Sequence, residues 1–176
     1  MAVNLQPHLV GALVALRPLC DDDFSDLFAV AADPLIWEQH PASDRYQEAV
    51  FRDFFRVAMA SGGAFVVLDV ASQRVIGSSR FADYNPAARE IEIGWTFLAR
   101  SHWGGRHNGE MKRLMIDHAL TFVDTVVFHV GPRNIRSQMA VERIGAVRDG
   151  LIVAAGRESV VFRLTRERWS ARESGS

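Results

Sequence analysis

Apolar and polar residues recur with two different periods along this chain. Residues 13–19 (LVALRPL) form a short apolar run of strand length. The acidic Asp21–Asp23 that follows marks a helix start, because carboxylates accept hydrogen bonds from free first-turn amides and favour the positive helix end. Phe24, Leu27, Phe28 and Ala31 then repeat at helical spacing. Asp33-Pro34 ends that helix, since a residue before proline avoids helical geometry. A loop carrying Trp37, His40 and Pro41 leads to a second helix over about residues 46–60, with Val50, Phe54, Val57 and Ala58 predicted inward. Ser61-Gly62-Gly63 stops it.

The middle of the chain changes to period two. Residues 64–70 (AFVVLDV) and 74–84 (RVIGSSRFADY) are strands joined by a short turn, and 89–98 (REIEIGWTFL) alternates polar and apolar positions. Three strands with tight connections predict an antiparallel meander. After a glycine-rich loop, Met111, Leu114, Met115, His118, Ala119 and Phe122 mark one helical face. Residues 125–131 (TVVFHVG) are continuously apolar, as in a strand buried on both faces. A further helix over RNIRSQMAVERIGA and a hairpin around Gly156 close the pattern. The order β-α-α-β-β-β-α-β-α-β-β predicts an α+β, or mixed α/β, single domain over residues 1–168, followed by a polar tail at 169–176.

Length and composition agree with one packed domain: 176 residues, 48% hydrophobic and 23% charged. A formal net charge of −1 removes the usual electrostatic case for nucleic acid or a membrane surface as partner. No apolar run has the length of a membrane span, and the first residues lack a basic leader and are broken by Pro7 and Gly11. One cysteine, Cys20, cannot form an internal disulfide, so the chain reads as cytoplasmic. A homodimer is left open.

The chemistry concentrates in the loop Trp103-Gly104-Gly105-Arg106-His107-Asn108-Gly109, which runs into a helix. A Walker-type loop requires lysine after its second glycine, and Glu110 stands there, where it would repel a triphosphate. The G-x-G-x-x-G spacing of a dinucleotide fold is absent from this loop. Two readings stay open on these residues alone. The glycines serve backbone geometry only, or they let a pyrophosphate approach the free amides of a helix N-terminus, with Arg100 and Arg106 adding charge.

The surrounding motifs separate these. Glu92-Ile93-Gly94-Trp95, then Trp103-Gly104, then Asn134…Ser137…Gly145 resemble, in order and spacing, the GCN5-related N-acetyltransferase (GNAT) superfamily. More narrowly they resemble its ribosomal-protein-alanine acetyltransferase-like branch. The resemblance covers nearly the whole chain. It implies a mostly antiparallel sheet of about seven strands, splayed between the fourth and fifth, with about four flanking helices. It implies acetyl-CoA as co-substrate, with its pyrophosphate on Arg100, Trp103, Gly104, Gly105, Arg106, His107, Asn108 and Gly109. The pantetheine arm is expected between Ile93, Gly94, Trp95, Thr96 and the strand at 125–131, with Asn134 and Ser137 nearby. Arg106 stands where the family loop commonly has glycine, and Gly105 is one place early.

Direct acetyl transfer to a primary amine needs a base, an oxyanion donor and help for the departing thiolate. Glu92 is the expected base, with Glu90 as fallback; Glu90, Glu92 and Gly94 should share one strand face, and Ile91, Ile93 and Trp95 the other. A solvent-facing alternation is the plain alternative for that pattern. The resemblance places the oxyanion donor at a backbone N–H near Trp95. The superfamily's common acid, a tyrosine four residues before Gly145, is replaced by Val141, so the thiolate partner expected from the branch is Ser137. Asn134 also suits a plain helix cap. Trp37, His40 and Glu90 are the expected acceptor-side residues. No metal is expected: His102, His107, His118 and His129 show no H-x-x-x-H pair. The competing function is a non-catalytic acyl-CoA-binding regulatory module. The amine acceptor itself, whether a protein N-terminus or a small molecule, is not specified by any motif.

Overall fold

A computed structural model describes residues 3–173. Eight strands make one sheet: β1 (Leu9–Val10), β2 (Val14–Pro18), β3 (Ala64–Asp69), β4 (Val75–Asn85), β5 (Glu90–Leu98), β6 (Thr125–Val130), β7 (Val147–Ala154) and β8 (Arg157–Thr165). Their spatial order is β1-β2-β3-β4-β5-β6-β8-β7. Five helices flank it: α1 (Phe24–Ala31), α2 (Glu48–Ala60), α3 (His107–Ala119), α4 (Ile135–Arg143) and α5 (Arg166–Glu173). All neighbouring strands are antiparallel except β5 and β6, which the crossover through α3 makes parallel.

The expected α+β fold is present, with two corrections to the element count. The eighth strand is β1, two residues long and too short to show a period. The additional helix is α5, which crosses the expected boundary at residue 168. Its one large apolar residue, Trp169, is buried and donates Nε1–H to Asp117 at 2.7 Å. A helix held by one aromatic anchor has no apolar stripe to read.

The parallel pairing of β5 and β6 is brief. Glu90, Ile91 and Glu92 pair with Thr125, Val126 and Val127, and the strands then continue to Leu98 and Val130 without pairing to each other. This is the expected splay. A bulge in β5 lies beside it: Arg80 pairs with Gly94 and Ser78 with Phe97, so β5 spends one residue more than β4. Trp95 takes the left-handed conformation there (φ 51°), which costs a non-glycine residue about 1–2 kcal/mol.

The bulge corrects the predicted faces of β5. Ile91, Ile93 and Leu98 pack in the core that includes Met111, Met115 and Ile116 of α3. Trp95 and Phe97 pack in the second core, with α1 and α2. One inserted residue reverses strict alternation, so Trp95 leaves the face of Ile91 and Ile93. In α2, Phe51, Phe54, Phe55 and Ala58 are buried while Val57 is exposed, which shifts the predicted stripe toward the aromatics. Phe51, Phe54 and Phe97 contact one another with ring centroids 5.4–6.1 Å apart, and burying each ring stabilises by roughly 1.5–3 kcal/mol.

Candidate functional site

The glycine loop leaves the first amides of α3 open. α3 begins at His107, with Arg106 at its cap position and no side chain capping it. The first helical hydrogen bond is Glu110 N–H to Arg106 O at 2.9 Å. The amides of His107, Asn108 and Gly109 therefore have no acceptor among the described residues. Gly104 is left-handed (φ 71°), and a Cβ added at Gly109 would meet open space. Open amides at a helix start with no side chain in front of them suit a pyrophosphate.

Glu110 behaves differently from its sequence reading. Its carboxylate turns away from the loop and accepts the backbone amides of Ala12, Leu13 and Val14 at 3.0, 2.6 and 2.8 Å. Partial burial pulls its pKa up, but the three amides outweigh this and hold it below the usual carboxylate range. Glu110 thus ties α3 to the β1–β2 turn. Arg100 is likewise engaged, pairing with Asp33. Trp103 donates Nε1–H to Leu98 O at 2.9 Å and carries the Arg136 guanidinium over its ring at 3.9 Å, which anchors the loop's first end. His107 Nε2 lies 3.2 Å from Asp69 Oδ1, and His102 stacks edge-on to it, so the ligand atoms of all three fall within 4.8 Å of one another. Sequence spacing gave no sign of this cluster, because Asp69 comes from β3.

At the splay, Glu92 is buried (6% exposed), so it is no solvent-facing member of an alternating strand. It accepts the Nδ1–H of His129 through Oε2 at 2.9 Å. That bond is the main cause of a raised His129 pKa; burial opposes it. Glu90, by contrast, is committed to an ion pair with Arg163. Below the split, Thr96 Oγ1 lies 2.8 Å from Ser79 Oγ and accepts from Lys112 Nζ at 2.7 Å.

Lys112 is one of the residues near Glu92 that sequence reasoning missed. It sits on α3 beside the predicted inward stripe, where a lysine reads as a solvated flank, and it is buried. Burial pushes its ammonium down to about 7, against the favourable field of Glu92. The Phe128 ring lies 5.6 Å from Nζ. Glu92 therefore stands among His129, Lys112 and Arg80, each of which feels its charge.

On α4, Asn134 is buried and its side chain accepts Ser137 N–H at 3.2 Å, which is the plain capping role. Val141 and Ile144 are buried on the same helix face, while Ser137 is half-buried. Trp37, expected at the acceptor, is instead a core residue. It is 2% exposed and donates Nε1–H to Ala31 O at 2.8 Å. It still forms the floor beneath His40 and Arg45, whose groups lie 5.6 Å from its ring.

Solved structures share this fold. A GCN5-related N-acetyltransferase from Brucella melitensis matches at a TM-score of 0.81 and 23% identity, over 96% of this chain and 83% of that one. RimJ of Mycobacterium smegmatis, solved with CoA-disulfide, matches at 0.72 and 19% identity, over 96% and 92%. Spermidine N-acetyltransferase from Vibrio cholerae, solved with CoA and spermine, matches at 0.66 and 19% identity, over 91% and 99%. No curated protein matches the chain in sequence. The family model described as "Acetyltransferase (GNAT) domain" matches residues 14–147, most of the sheet and the helices around it: the chain belongs to the GNAT family and is an acetyl-CoA-dependent acyltransferase.

Proposed function

We propose that this protein transfers the acetyl group of acetyl-CoA directly to a primary amine in a ternary complex. The observation that carries the reading is the pair of openings at the two ends of the loop: unpaired amides at His107, Asn108 and Gly109, and unpaired strand edges beyond Glu92 and Val127. The first suits the pyrophosphate; the second offers the pantetheine arm the backbone of Ile93, Gly94, Trp95 and Thr96. The new bond joins the amine nitrogen to the acetyl carbon, and the thioester C–S bond breaks. Glu92 takes the amine proton, directly or through water, and a backbone N–H near Trp95 meets the oxyanion. Asn134 and Ser137 flank the departing thiolate, which Ser137 assists by donating a hydrogen bond.

Binding tests the cradle. Acetyl-CoA should raise Tm, because a ligand that binds only the native state stabilises it by mass action. Dephospho-CoA should do the same, and pantetheine much less at equal saturation; equal shifts from all three would remove the pyrophosphate from the reading. Gly109→Val folds in this account, since its side chain enters open space, and should weaken CoA binding by blocking approach to the amides.

Ser137→Ala isolates the thiolate step. The variant should fold, bind acetyl-CoA within a few-fold, and lose about 10-fold in kcat, roughly 1.4 kcal/mol of barrier. Wild-type kcat on a confirmed acceptor would leave Ser137 as a packing residue of α4.

A further inference from the structure

Two arginines that share the Phe54 ring, one of them feeling the charge of Glu92, have no part in the transfer chemistry above. Arg80, on β4, is 4% exposed, and its Nε is buried without a hydrogen-bond partner among the described residues. Its guanidinium lies 4.6 Å from the Trp95 ring and 5.7 Å from Phe54. Arg45, in the loop before α2, lies 4.6 Å from the same Phe54 ring and 5.6 Å from Trp37. Neither arginine has a carboxylate within 4.0 Å among the described residues. The fields that reach them are those of Glu92 at Arg80, and of the cationic Arg157 and Arg80 and of Asp44 at Arg45.

Among the described residues, the side chain within hydrogen-bond distance of Arg45 is that of His40, and it is also a donor. His40 Nδ1 accepts the backbone N–H of Ala42 at 2.9 Å. A neutral imidazole that accepts at Nδ1 carries its proton on Nε2. Burial, with the charges of Arg45 and Arg157, lowers the His40 pKa to about 3, so the ring is neutral. Its Nε2–H then faces Arg45 Nη1 at 3.4 Å, donor toward donor. Arg80 and Arg45 thus share the Phe54 ring, Arg45 meets the His40 Nε2–H, and the Arg80 Nε has no acceptor among the described residues. Burial costs each guanidinium enough to bring both pKa values down to about 10, yet both stay charged at neutral pH. Buried charges of this kind are ordinarily paired, and a planar fork of donors fits an oxyanion.

We infer that the amine acceptor also carries an oxyanion, a carboxylate or a phosphate, which Arg80 and Arg45 bind with His40 Nε2–H while the amine stands at Glu92. This rests on the acetyl-transfer reading and narrows it: polyamines and simple alkylamines, cationic throughout, are repelled by the same arginines.

Acetyl-CoA turnover on matched acceptors tests this. The pairs are phenylalanine with phenethylamine and O-phosphoethanolamine with ethanolamine, with spermidine and a neutral tripeptide alongside. The carboxylate pair and the phosphate pair tell the two oxyanions apart. The oxyanion member of at least one pair should exceed its partner by 10- to 100-fold in kcat/KM, through the acceptor's KM. Arg80→Gln and Arg45→Gln should each erase that preference and leave the KM for acetyl-CoA unchanged, and Arg80→Lys should keep part of it. Equal rates within both pairs, a preference for spermidine or the tripeptide, or a preference that survives both Gln variants overturns the inference. Binding supplies a readout independent of turnover. With CoA present, 3-phenylpropionate or phenyl phosphate should raise Tm more than 3-phenylpropanol does, in wild type and not in Arg80→Gln or Arg45→Gln; no such shift in wild type also overturns it. Failure of CoA itself to bind would strike the acetyl-transfer reading instead, and the anion shift would still report on the arginines.

Discussion

Glu92→Gln should lower turnover on the order of 10²-fold at neutral pH, the usual scale for a positioned base. Part of the loss should return at high pH, where free amine becomes abundant without help. An unchanged pH–rate profile would move the base elsewhere. His129 gives a second readout that a merely structural role for Glu92 would not separate from activity. The Glu92 hydrogen bond raises the His129 pKa above its ordinary 6.5. In the variant, histidine titration by NMR should bring His129 back toward that value. The sign for stability follows from linkage: a raised folded-state pKa stabilises fully below about 6.5, and this contribution fades as pH rises through the folded value. Glu92→Gln should flatten that part of the stability profile. An unshifted His129 would show that the pair does not form in solution.

Lys112→Met should make the protein more stable and less active. Wild type buries an ammonium beside Phe128 with one hydroxyl acceptor, Thr96 Oγ1. Its folded pKa is about 7, against about 10.4 in an unfolded chain. Between those values the unfolded chain binds more protons, so wild-type stability rises with pH through this window. Below about 7 both states carry the charge and the full cost of burial is present; above about 10 it is gone. A shift of this size corresponds to roughly 5 kcal/mol. Methionine fills similar space without a charge, so its stabilising effect should be several kcal/mol larger at pH 6 than at pH 10. Denaturant unfolding of both proteins at the two pH values measures the difference, and equal effects would mean that the ammonium is solvated. Turnover should fall in the same variant, because Glu92 loses a nearby cation whose charge it feels. More stability with less activity is the signature of a group kept for function.

What local patterning alone determined is the series of long elements and the loop that opens α3. Hydrophobic patterning distinguishes helix from strand over α1, α2, β3, β4 and β5, each long enough to repeat, and over β6 as a short continuous apolar run. The open amides at the start of α3 were legible because every helix start leaves its first amides free, and the glycines around them are a local property. Elements without a repeat escaped: two-residue β1, and α5 held by Trp169. The β5 bulge escaped as well, since no residue type demands a left-handed tryptophan, and the register with β4 imposes it. The site beyond Glu92 was decided by tertiary structure. His129, Lys112 and Arg80 come from β6, α3 and β4, and each reads by itself as a strand-end histidine, a solvated helix flank or a strand polar residue. Their charge environment depends on burial and on partners distant in sequence, quantities that no local period encodes. For the same reason Glu110 read as a neighbour of the loop's ligand, when the fold sends its carboxylate to three amides of the β1–β2 turn.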